Sequence, residues 1–129
     1  MNPRRAFAVS VLATLLAVSL TRSARPVDAA STTVKGYVID SACTFTKGLK
    51  KPISSECAVA CAKAGSPLVI QTAAGAIYLP IADTMPAASQ NDRLLPYAGQ
   101  MVSVTGKVYT RGGARAIVIE KIEAAGQSK

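Results

Sequence analysis

Met101-Val102-Ser103-Val104-Thr105-Gly106-Lys107-Val108-Tyr109, then Thr110-Arg111-Gly112-Gly113, then Ala114-Arg115-Ala116-Ile117-Val118-Ile119-Glu120-Lys121-Ile122 is the stretch that decides the fold. Apolar and polar side chains alternate through residues 101–109, the period of a strand with one buried face. Gly106 falls inside that alternation and marks a bulge or a sharp bend. The glycine turn at 111–113 sends the chain back into a last strand over residues 114–122.

Working outward from this hairpin, residues 33–40 (Thr-Val-Lys-Gly-Tyr-Val-Ile-Asp) carry the same alternation and form a first strand. Residues 41–53 have neither strand nor helix period and contain Gly48 and Pro52, so they read as a loop. A short helix follows. Ser54 or Ser55 caps it, Glu56 lies in its first turn, where the helix dipole favours an anion, and Gly65 stands where a helix ends. Residues 68–72 and 76–81, separated by Ala73-Ala74-Gly75, form a strand hairpin. The Pro- and Ala-rich stretch after Asp83 has one short or irregular helical candidate, at 86–95.

The order strand, loop and helix, strand, strand, helix, strand, strand predicts an all-β domain with short helices: a five-stranded OB-like barrel with a cysteine-containing helical insertion between strands 1 and 2. In so short a chain, curling the strands into a barrel makes one core, with an open sandwich of the same strands as the rival arrangement. The expected core is Val34, Tyr37, Val38, Leu68, Ile70, Ile77, Leu79, Val102, Val104, Val108, Ile117 and Ile119. The domain spans residues 31–123, and 124–129 read as a disordered tail.

The N-terminus has a different character. Arg4 and Arg5 precede an uncharged run of 15 residues, 6–20, and Arg22 and Arg25 close it off. That is the charged head and apolar body of a signal peptide occupying residues 1–30, and it is shorter than the roughly 20 residues a membrane-spanning helix needs. Small residues at Val27 and Ala29 place cleavage after Ala29 or Ala30, and no cysteine lies nearby to accept a lipid. The product is expected in the periplasm or secreted, with no stable membrane insertion after the signal is removed. Cleavage leaves 11 basic and 6 acidic residues, lowering the net charge from +8 to +5. With basic residues dispersed and aromatics at 5%, the chain lacks the dense basic, stacking face of a nucleic-acid binder.

The chain has no His and no Trp, which removes His-based triads, His general bases and His-ligated metals. Its carboxylates are scattered, and no glycine-rich phosphate loop can be drawn around Gly112-Gly113. The expectation is a protein without catalytic activity.

What remains is Cys43, Cys57 and Cys61, all in the insertion between the first two strands. Four residues apart on a helix, Cys57 and Cys61 share a face with Cβ atoms roughly 5–6 Å apart. A disulfide needs about 3.8 Å. Either can instead meet Cys43, and such a bridge would staple the insertion to the barrel and contribute around 3 kcal/mol through loop closure. Three cysteines leave one over. The sharper alternative is a thiolate site: Cys43, Cys57 and Cys61 for Cu(I), or the same set for Zn with Asp40 or water as fourth ligand. A redox-active thiol is the third use of the same residues.

Four segments carry a resemblance: Gly36-Tyr37-Val38-Ile39-Asp40-Ser41-Ala42-Cys43, Cys57-Ala58-Val59-Ala60-Cys61-Ala62-Lys63-Ala64-Gly65, Gly75-Ala76-Ile77-Tyr78-Leu79, and Tyr97-Ala98-Gly99-Gln100-Met101-Val102-Ser103-Val104-Thr105-Gly106. Across nearly the whole mature chain they resemble a group of small exported bacterial proteins with an uncharacterised OB-like domain. The resemblance implies a fold and a compartment but no activity. Members often carry a His after the first cysteine; here Thr44, Phe45 and Thr46 stand there, so no His ligand carries over.

The leading expectation is an exported, non-catalytic binding or accessory module with the cysteines as a staple; the alternative is a Cu- or Zn-handling or thiol-redox protein. Export has a direct readout: N-terminal sequencing of the exported protein should begin at Ala30 or Ser31, and retention of Met1 would refute the signal peptide.

Overall fold

The structure is a computed structural model that describes residues 29–50 and 53–126. The expected signal peptide, up to residue 28, and tail residues 127–129 lie outside the described residues. The chain runs through β1 (Ser31–Asp40), α1 (Ser41–Lys47), a 3-10 turn (Gly48–Lys50), α2 (Ser55–Lys63), β2 (Leu68–Gln71), β3 (Ile77–Pro80), α3 (Asn91–Leu94), a second 3-10 turn (Leu95–Tyr97), β4 (Met101–Arg111) and β5 (Ala114–Ala124). The strands close in the order β1-β2-β3-β5-β4, an OB-like barrel as the alternation implies.

Closure depends on β1 serving two neighbours. Its first part pairs with β4, from Ser31↔Lys107 to Tyr37↔Met101, and its last four residues pair with β2, from Tyr37↔Gln71 to Asp40↔Leu68. Gly36 sits at the handover, where a Cβ would run into the Gln71 backbone and the Ile70 side chain. Gly106 does the same for β4: the register slips between Thr105 and Gly106, and a Cβ there would meet the carbonyl of Val118. The last seam is parallel, β3 to β5, over Tyr78↔Arg115, Leu79↔Ala116 and Pro80↔Ile117.

Inside the barrel, Val38, Ile70, Leu94, Val102, Val104 and Ile117 have no exposed surface. Leu94 comes from α3, which plugs one end. This helix is shorter than the expected 86–95, because only Asn91–Leu94 is α-helical before Pro96 enters a 3-10 turn.

Three expectations need correction. Residues 41–53 are not all loop: Asp40 caps α1 by accepting the Cys43 N–H at 3.0 Å, and Gly48 (φ 56) ends it. A seven-residue helix is too short to show a period. Leu79 is 43% exposed and Ile77 only half-buried, whereas Tyr78 packs against the core and Pro80 is buried. The inward set of β3 is Tyr78 and Pro80 and not Ile77 and Leu79, a choice the pattern leaves open because both alternating sets of Ile-Tyr-Leu-Pro are apolar. The tail begins later than residue 124: Ala124 pairs with Val102, and Ala125 donates to the Met101 carbonyl at 2.9 Å.

Ile39 and Val69, opposite each other on β1 and β2, are buried although they alternate away from the interior. The helical insertion gives this part of the sheet a second layer, with Ala58 (2% exposed) and Ala62 (8%) as the inward side of α2. Among the described residues no helix is long and apolar enough to cross a membrane.

Ile117→Ala should destabilise the domain by about 2–5 kcal/mol, whereas Leu79→Ala should stay within about 0.5 kcal/mol. Urea denaturation of the two variants checks the phase of β3 and β5.

Candidate functional site

The three cysteines of the insertion gather around the end of β1. Asp40 is both the last residue of that strand and the N-cap of α1, and it is 1% exposed. Its backbone carbonyl accepts from the Thr44 hydroxyl at 2.8 Å and its Oδ1 from the Cys43 N–H at 3.0 Å. Its other oxygen, Oδ2, is buried with no hydrogen-bond partner. Gln71 Oε1 is in the same position, but a neutral amide costs far less to leave unpartnered than a carboxylate.

The second helix is built alike. Ser54 Oγ accepts the Cys57 N–H at 3.2 Å, so Cys43 and Cys57 hold the same position in the first turns of α1 and α2. Cys61 follows one turn later. The end of α2 is a Schellman motif: Gly65 (φ 100) donates to the Ala62 carbonyl, and Ser66 donates to the Cys61 carbonyl at 3.0 Å. Asn91 fastens this end to the barrel, its Oδ1 accepting the Leu68 N–H at 2.8 Å and its Nδ2 donating to the Ser66 carbonyl at 2.9 Å. At the other end, Gly99 leaves room for the Ser55 backbone.

A cleft of about 150 Å³ opens between the helices and the end of β1, with Asp40, Cys43, Lys47, Ile53, Ser54 and Cys57 in its lining. Cys43 and Cys61 are half-buried and Cys57 is exposed. A close interaction with the Asp40 carboxyl, reinforced by burial and by Cys57, pushes the Cys43 thiol up to about 11. Cys61 is also raised, by burial first and then by the charges of Asp40 and Cys57. Asp40 and Cys57 thus oppose the ionisation of Cys43 and Cys61.

Of the four residues singled out in the sequence, Asp40, Cys43 and Cys57 line the cleft, while Cys61, one turn further along α2, does not. The expected staple does not form: Cys43, Cys57 and Cys61 are free thiols, and no disulfide joins Cys43 to either partner. The winding of residues 41–47 into α1 sets Cys43 beside Asp40. Nor do the side chains stand ready as a cage; among the described residues no group of three or more His, Cys, Asp or Glu is already arranged to hold a metal ion. A thiol raised this far, as at Cys43, is a weak nucleophile at neutral pH. The capping role of Asp40 was missed in the sequence, although Asp-Ser-Ala-Cys after a strand is a helix-start signal.

The titration of Cys43 has a measurable consequence. Its thiol moves from an ordinary value of 9.0 to about 11 on folding, so the folded chain holds this proton more tightly. The resulting stability is complete below pH 9.0 and is lost as pH rises toward about 11. In the reduced, metal-free protein, Cys43→Ser should flatten this alkaline loss, and denaturation series on both proteins across that range measure the difference. Comparison with family models, with curated proteins and with solved structures finds no match for this chain.

Proposed function

We propose that the chain is an exported, non-catalytic binding module whose helical insertion takes one thiophilic metal ion between Asp40, Cys43, Cys57 and Cys61. The observation that carries this reading is the Asp40 carboxylate: Oδ1 is fixed by the Cys43 N–H, and Oδ2 is buried, unpartnered and beside thiols. A bound cation would supply the missing partner and offset the Asp40 interaction and the burial that keep Cys43 and Cys61 protonated. Soft sulfur selects the ion. Three thiolates suit Cu(I), and three thiolates with one carboxylate oxygen suit tetrahedral Zn(II). Because the ligands are not yet converged, binding requires the thiols to change rotamer, each about a single bond, as their protons leave.

The buried oxygen favours Zn(II), where it has a role, over a purely sulfur-bound ion. Asparagine caps a helix as well as aspartate, so Asp40→Asn keeps α1 while replacing a ligating oxygen with an amide.

Titrating the reduced mature protein against a chromophoric chelator should show one Zn(II) per chain. Each of Cys43→Ser, Cys57→Ser and Cys61→Ser should weaken uptake by more than the roughly 10–100-fold typical of losing an outer-shell contact. Asp40→Asn should weaken Zn(II) and spare Cu(I). If the reduced protein takes up neither ion, and the protein recovered from export has one free thiol, the metal reading fails and a disulfide staple through Cys43 replaces it.

A further inference from the structure

The cysteine cleft is open to solvent on one side. Cys57 is exposed, whereas Cys43 and Cys61 are half-buried, so Cys57 is the cysteine that an incoming molecule meets first. At about 150 Å³ the cleft is smaller than the roughly 300–1,000 Å³ of sites that enclose a drug-sized ligand, and it suits a small molecule. Among the described residues its lining carries one cation, Lys47. This is the last residue of α1 and stands four residues after Cys43, on the same face of the helix. Lys47 is exposed and makes no contact with Asp40 Oδ2, which has no partner. The cleft thus combines a buried carboxylate with an exposed ammonium at its edge.

The contacts that hold the insertion to the barrel use no thiol. Asn91 accepts the Leu68 N–H and donates to the Ser66 carbonyl, and Ser41 donates its N–H to the Pro67 carbonyl. Ala58 and Ala62 add buried apolar surface. None of these groups is a candidate metal ligand, whereas a structural zinc ion is bound by the groups whose folding it drives.

We infer that the ion is exchangeable cargo, handed over at Cys57 to a small thiol that enters past Lys47. The inference rests on the metal reading above. In the exchange the incoming sulfur forms a bond to the ion, the bond from Cys57 breaks, and the proton lost by the incoming thiol passes to Cys57. No oxidant or reductant takes part. The same swap at the other thiolates frees the ion, and the helices stay docked as it leaves. Zn(II) held by three thiolates and a carboxylate makes a net negative site, and the attacking thiolate is negative as well. Lys47 offsets that repulsion, as a positive charge beside an entry path does for anionic ligands in general.

The test loads the reduced mature protein with one Zn(II) and follows release to a fixed amount of a chromophoric chelator while the concentration of 3-mercaptopropionate, 2-mercaptoethanol or cysteamine is varied. The release rate should climb in proportion to each thiol, and the near-ultraviolet circular dichroism of the domain should persist after the ion has left. Lys47→Gln should still load one Zn(II) per chain but lower the slope for 3-mercaptopropionate roughly fivefold, about the effect of one unit charge at close range in water. The loss should be smaller for 2-mercaptoethanol and least for cysteamine, and Lys47→Arg should restore the wild-type slopes. Each thiol is compared between wild type and variant, which cancels the thiol's own acidity. Release independent of thiol concentration, a Lys47→Gln effect that is absent or equal for all three thiols, or unfolding on loss of the ion would overturn the inference and leave the metal site standing. A wild-type protein that loads no Zn(II) would overturn both.

Discussion

Strand β1 has to satisfy two partners, and the barrel exists because it does. A strand confined to one neighbour would leave the other side of the sheet open; here the pairing passes from β4 to β2 at Tyr37, next to a glycine that lets the backbones close in. Everything after the handover is displaced toward the rim, and its last residue, Asp40, is carried to the point where the insertion begins. The same residue that ends the ladder therefore starts α1, so the site inherits its position from the closure of the sheet.

Two devices then hold the insertion against the barrel. Asn91 joins the end of α2, the start of β2 and its own helix through one side chain. Ser41 donates its N–H to the Pro67 carbonyl at 2.8 Å, tying the first residue of α1 to the residue before β2. Neither contact involves a thiol. The insertion is thus positioned by hydrogen bonds and by burial of Ile39, Val69, Ala58 and Ala62, which explains how it can be ordered without a cross-link.

The long strands were legible because residues 102–105 alternate, Ile117-Val118-Ile119 is a β-branched run, and the glycines mark the bulge and the turn between them. The cysteine group was legible from its clustering alone. What escaped was set by tertiary context. Strand β3 is apolar on both faces, so its phase could be settled only by the parallel seam with β5. Ile39 and Val69 look outward by period and become buried because helices cover them. Helix α1 has too few residues for periodicity, and its start rests on one capping carboxylate that reads equally well as the polar end of a strand. The unpartnered state of Oδ2 is a property of packing, invisible in any residue pattern.

The seam between β1 and β4 joins residues far apart in the chain; the Thr33 and Thr105 hydroxyls, 3.0 Å apart, are separated by 72 positions. Pairing of this kind forms slowly, whereas the β2–β3 hairpin is local. Until β4 docks, Asp40 is not held at the rim of the barrel. Wherever the chain folds, the site is therefore a late product of folding: its capping carboxylate takes its place only when the long-range β1–β4 seam has closed.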